Sequence, residues 1–136
     1  MKGYKELKVW QRAYGLALKV YKIIEDFPHD ERFGLASQLR RCGISIPSNI
    51  AEGHTRRHLK EYIQFLYIAL GSLAELETQL LLAKDLTYIS EMSFKETGLE
   101  IEEIGKMING LINSLNKTGD REQVSGVKRQ VSGVRG

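Results

Sequence analysis

The chain has one cysteine, Cys42, two prolines, Pro28 and Pro47, and one tryptophan, Trp10, among its 136 residues. A single thiol excludes an internal disulfide framework and any Cys-rich zinc module, and it suits a reducing compartment. So few prolines, with 13 glycines, exclude a collagen-like or low-complexity chain. No uninterrupted apolar run reaches the roughly 20 residues that cross a bilayer. The longest candidate, residues 62–83, is broken by Glu75, Glu77 and Gln79. The charged start (Lys2, Lys5, Glu6, Lys8) has no apolar stretch behind it, so no secretory leader is expected. These absences predict a cytoplasmic protein with no membrane partner, long enough to bury one core of its own.

Catalytic signatures are missing as well. The sequence has no glycine-rich phosphate loop with its lysine, no His-Glu-x-x-His and no serine nucleophile elbow, so neither an enzyme nor a cofactor is expected. His54 and His58, four apart with Glu52 nearby, have a spacing that could suggest a metal pair, but Arg56 and Arg57 beside them oppose a cation, and no metal is expected. Cys42 falls on a helix seam and reads as a small core residue.

What is present is helical periodicity. Trp10, Ala13, Ala17, Val20 and Ile24 recur three and four apart, as a packed helix seam does. Phe27-Pro28-His29-Asp30 breaks the pattern, and Asp30 is placed to cap the next helix. That helix carries Leu35, Leu39, Cys42, Ile46 and Ile50 and is expected to stop at Gly53. Pro47 inside it removes a backbone donor and crowds the carbonyl of Gly43, predicting a kink eased by Ser45, Ser48 or Asn49. A third helix over residues 57–85 has the seam Leu59, Tyr62, Leu66, Ala69, Leu73, Leu76, Leu80 and Ala83. After Thr87-Tyr88-Ile89, Ser90 is an N-cap with Ile89 and Phe94 as a hydrophobic staple. The fourth helix repeats at Phe94, Ile101, Ile104, Ile108, Leu111 and Leu115. The fold class is therefore all-α, an antiparallel up-down four-helix bundle over residues 1–116. Residues 117–136, where Gln123-Val-Ser-Gly-Val-Lys-Arg129 is echoed by Gln130-Val-Ser-Gly-Val-Arg135, read as a flexible basic tail.

The apolar faces are wider than one bundle needs. On the first helix Leu7, Tyr14, Leu18 and Tyr21 widen the seam, and on the third Phe65, Ile68 and Leu82 lie outside it. Excess apolar surface points to other copies of the chain, with these seven residues at the interface. Six glycines inside helices (Gly15, Gly43, Gly71, Gly98, Gly105, Gly110) predict close backbone approaches.

Charge is divided along the chain. Residues 1–60 hold twelve Lys and Arg against six acids, a balance of +6, while residues 61–115 hold three against nine, a balance of −6. The candidate nucleic-acid ligands are Lys5, Lys8, Arg12, Lys19 and Lys22 on one face of the first helix. Arg40, Arg41, Arg56, Arg57 and Lys60 gather around the corner between helices two and three. Contact between basic and acidic halves of neighbouring copies is the competing use of the same charges.

Five strings carry a resemblance: Leu7-Lys-Val-Trp-Gln-Arg-Ala13, Arg32-Phe-Gly-Leu-Ala-Ser-Gln-Leu-Arg-Arg41, Ser45-Ile-Pro-Ser-Asn-Ile-Ala-Glu-Gly53, Gly71-Ser-Leu-Ala-Glu-Leu-Glu-Thr-Gln79 and Met107-Ile-Asn-Gly-Leu-Ile-Asn-Ser-Leu115. Over about residues 4–116 the chain resembles the bacterial four-helix-bundle proteins encoded in intervening sequences of 23S ribosomal RNA genes. The resemblance implies a non-enzymatic homopentamer with basic surfaces. It also implies kinship with the accessory proteins of diversity-generating retroelements, which bind RNA and a reverse transcriptase. The functional expectation is a homo-oligomeric adaptor for nucleic acid, RNA ahead of DNA; the alternative is a structural protein–protein module.

Overall fold

The computed structural model describes residues 3–130, with side chains described as far as Gly119. Four helices, α1 (Lys8–Ile24), α2 (Leu35–His54), α3 (Leu59–Asp85) and α4 (Glu91–Gln130), follow one another through short connections. Each packs on its neighbour in sequence, and α1 closes the square against α4, giving an antiparallel up-down bundle. No strand occurs among the described residues.

The core follows from the 3.6-residue period. On α3 the buried apolar positions are Leu66, Ala69, Leu73, Leu76, Leu80 and Ala83, all on the predicted seam, with Ser72 buried beside them and the seam residues Leu59 and Tyr62 half-buried. On α2 they include Leu39, Cys42, Ile46 and Ile50. On α1 the seam is turned by one residue: Val9 and Leu16 are buried in place of Trp10 and Ala17. The indole of Trp10 instead stacks on Tyr14, with ring centres 5.1 Å apart. On α4, Thr97 and Ile112 join Ile101, Ile104 and Ile108 in the core, while Leu111 and Leu115 are half-buried. α4 continues to Gln130, through the start of the segment expected as a flexible tail from 117; residues 131–136 lie outside the described residues.

α3 also departs from one compositional expectation. Its most apolar 18-residue window has a mean hydropathy of 1.3, so it is long and apolar enough to cross a membrane despite Glu75 and Glu77. Only 33% of that window is buried inside the bundle. α3 is therefore apolar on its outer face as well.

The helix ends correct two predicted caps and support a third. Asp30 does not cap α2. Instead the Leu35 N–H donates to Glu31 Oε1 at 3.0 Å, and the Tyr88 hydroxyl donates to Glu31 Oε2 at 2.8 Å. One carboxylate thus caps α2 and holds the α3–α4 connection, and that hydrogen bond raises the Tyr88 pKa. Gly53 does not end α2, which runs on to His54. Ser90 caps α4, its Oγ accepting from the Ser93 N–H at 3.0 Å. α2 passes through Pro47 without a break, and the Asn49 side-chain amide donates to the Ser45 carbonyl at 2.7 Å.

α3 ends in a Schellman motif: the Tyr88 N–H reaches the Ala83 carbonyl at 2.8 Å and the Thr87 N–H reaches that of Lys84 at 2.9 Å. The position that needs a left-handed residue is occupied by Thr87, at φ 65°. A β-branched side chain there is strained by about 1 to 2 kcal/mol. Thr87→Gly is expected to raise the unfolding free energy by about 1 kcal/mol, read as a higher urea midpoint with an unchanged slope.

Cys42 is buried and donates to the Ser72 carbonyl at 3.1 Å. Burial, and secondarily the Glu75 carboxylate, push its thiol up to about 12. The native thiol keeps its proton where an unfolded one has lost it, so stability falls as pH rises from about 9 towards 12. At pH 8 the thiolate fraction is about a thousandfold below that of an unfolded chain, and iodoacetamide should label Cys42 only as the protein opens.

Candidate nucleic-acid interface

Alternating helix directions put the start of α1, the corner between α2 and α3, and the far part of α4 at one end of the bundle. The closeness of Leu59 to Gly119 is the direct sign: a Cβ on Gly119 would lie 3.2 Å from Leu59 Cδ2. Among the described side chains, this end holds Lys5, Lys8, Arg56, Arg57, Lys60 and Lys117 with three acids, Glu6, Glu52 and Glu61. At the other end Glu25, Asp26, Asp30, Glu31, Asp85 and Glu91 face Lys22, Arg32 and Lys84. This polarity between ends is separate from the split between sequence halves, because four of the six acids at the second end, Glu25, Asp26, Asp30 and Glu31, come from the basic half.

The ten predicted ligands divide accordingly. Lys5, Lys8, Arg57 and Lys60 are exposed at the basic pole. Arg56 joins them, with its guanidinium 4.9 Å from the centre of the Phe65 ring and an ion pair to Glu52. Arg12 leaves the predicted stripe: its Nε and Nη2 donate to both oxygens of Glu100 on α4, at 2.8 and 2.9 Å. This fork holds the Glu100 carboxyl below the usual carboxylate range, and Lys19 adds to it. The α1 face is therefore partly neutralised by α4, which the sequence pattern did not reveal. Lys22 lies at the acidic pole.

Arg40 and Arg41 diverge, as neighbours on a helix do. Arg40 donates to the Arg32 carbonyl at 3.2 Å, on the α1 side of α2. Arg41 lines a groove of about 310 Å³ on the α3 side, with Ser45, Asn49, Ser72 and Glu75. His54 packs edge-on against Tyr62, and Glu52 is taken by Arg56, so these two do not converge with His58. Among the described residues no three metal-ligating side chains come together.

The predicted interface residues also divide. Tyr14, Leu18, Tyr21, Ile68 and Leu82 are 43% to 58% exposed. Leu7 packs against the core, and Phe65 is half-buried beneath Arg56. Tyr67 and Leu81 extend the exposed apolar face of α3, at 56% and 43%. The predicted close approaches at six glycines are corrected too. A Cβ would meet nothing within 4 Å at Gly15, Gly71, Gly98 or Gly110, whereas at Gly43 and Gly105 it would make ordinary contact with Val20 at 3.5 Å and Leu73 at 3.9 Å, and a tight approach between helices is at Gly53.

Three comparisons bear on this architecture. The sequence model for the 23S rRNA-intervening sequence protein matches residues 5–110. A solved structure of a protein with unknown function from the S23 ribosomal protein family of Bacteroides thetaiotaomicron VPI-5482 superposes with a TM-score of 0.69 at 26% identity, covering 76% of this chain and 97% of that one. No curated protein matches the chain.

Proposed function

This chain belongs to the 23S rRNA-intervening sequence protein family, and from that membership we propose that it is a non-enzymatic, homo-oligomeric adaptor that binds RNA. The observation that carries the reading is the basic pole, where Lys5 and Lys8 at the start of α1 lie at the same end as Arg56, Arg57 and Lys60 of the α2–α3 corner. Phosphates attract such a cluster through counterion release, which needs no particular base sequence. RNA is favoured over DNA by the family's name, and a reverse transcriptase is the protein partner suggested by the resemblance to retroelement accessory proteins. The exposed apolar side chains of α3, Ile68 and Leu82 among them, support self-association, with a pentamer as the expected closure. The protein works in the cytoplasm in this reading.

A structured RNA titrated across a salt series tests it. The affinity should fall linearly with salt on logarithmic axes, and Arg57→Ala with Lys60→Ala should shrink the slope by about two. Absence of binding at low salt with micromolar protein defeats the RNA reading. The second reading, a protein–protein module, is favoured by opposite poles of one chain that could attract one another in neighbouring copies. In that case the same substitutions change the mass measured by light scattering.

A further inference from the structure

Beside the basic pole, the outer edge between α1 and α2 opens into a groove of about 270 Å³. Tyr4, Trp10 and Tyr14 form one wall, with Ile44, Pro47 and Ser48 on the other side. The three rings form a continuous ladder. Tyr4 meets Trp10 edge-on at 5.3 Å, and Trp10 stacks on Tyr14 at 5.1 Å with 25° between planes. Tyr14 is 50% exposed, so the ladder ends in a ring with surface to spare. Lys5 follows Tyr4 at one end of the groove, its carbonyl held by the Gln11 side-chain amide at 2.8 Å.

Aromatic rings in an open groove with a cation beside one end fit an occupant that is flat, apolar on its faces and attached to anions. We propose that this groove takes an unpaired nucleobase of single-stranded RNA, stacked on the Tyr14–Trp10 ladder, with its phosphates led towards Lys5 and the basic pole. The inference rests on the RNA reading above and adds to it the strandedness of the ligand and the place of base contact. Stacking on aromatic side chains tolerates every base, so the preference is for unpaired RNA over any sequence. A duplex, whose bases are already stacked on one another, still meets the lysines but not the groove. Tyr14 thereby moves from the expected contact between copies to the ligand.

Trp10 is the sole tryptophan of the chain and reports on the groove directly. The experiment titrates the full-length protein with a fluorescently labelled 12-nucleotide oligouridylate and, separately, with an RNA duplex of 12 base pairs. Label anisotropy measures binding, and the indole emission measures contact. The oligouridylate should quench Trp10 and the duplex should not. Tyr14→Ala should weaken oligouridylate binding roughly tenfold while leaving duplex binding and the salt slope unchanged, and Tyr14→Trp should restore it. Anisotropy that reports RNA binding without quenching, or equal loss of both RNAs in Tyr14→Ala, overturns the groove and leaves the RNA reading standing. Failure of both RNAs to bind the unaltered protein overturns both. A light-scattering mass that falls in Tyr14→Ala, with oligouridylate affinity intact, assigns the ladder to a second copy and overturns the inference too.

Discussion

Leu76→Ala is expected to lower the unfolding free energy by about 3 kcal/mol, within the range of about 2 to 5 found for emptied leucine sites. Leu76 is fully buried at the middle of α3, in the core shared with α2 and α4. Removing its isobutyl group loses the transfer free energy of the deleted atoms and leaves a cavity that rigid helices cannot fill. A domain of this size is stable by only about 5 to 15 kcal/mol, so the loss is a large share. Leu82→Ala on the same helix removes a side chain that is 50% exposed. For an isolated chain its effect should stay below about 1 kcal/mol. Urea unfolding of both variants checks the contrast at two protein concentrations. A Leu82→Ala loss that exceeds this value and shrinks on dilution, as the copies separate, measures a contact between copies.

Gly53→Ala should have the second-largest effect, a loss of about 2 kcal/mol. A Cβ at this position would lie 2.8 Å from Phe65 Cβ, 3.1 Å from Tyr62 Cδ1 and 3.2 Å from the Tyr62 carbonyl oxygen. The first and last of these atoms are on or next to the backbone of α3, so relief requires the two helices to part. Overpacking of this kind costs about 1 to 3 kcal/mol, more than the helix propensity alanine gains. Gly110→Ala has the opposite sign. A Cβ there meets nothing, so the substitution should raise stability by about 0.5 to 1 kcal/mol. Thermal unfolding of the two variants should therefore move in opposite directions. Because Gly53 sets the approach of α2 to α3, its substitution should also spread Arg56, Arg57 and Lys60 and weaken whatever the basic pole binds.

The fold was legible where the apolar stripe was narrow. On α3 the strict alternation of three and four from Leu66 to Ala83 left one solution, and those six positions are buried. On α1 the apolar arc covers more than half the circumference, so periodicity alone could not choose between Trp10 with Ala17 and Val9 with Leu16. Size decided it: leucine fits the interior, and the indole lies at the edge against Tyr14. Long-range partners were illegible for another reason. Nothing local marks Glu100 as the acceptor for Arg12, 88 residues away, so one of the five cations on the predicted α1 face turned out to be paired. The basic pole was present in the sequence as two separate clusters and became one site only when helix directions were known.

The four helix dipoles alternate in direction and largely cancel. The asymmetry between the two ends therefore comes mainly from the charged side chains. A polyanion arriving from solution exerts a torque on such a body before touching it, and the end bearing Arg57 and Lys60 swings round to lead.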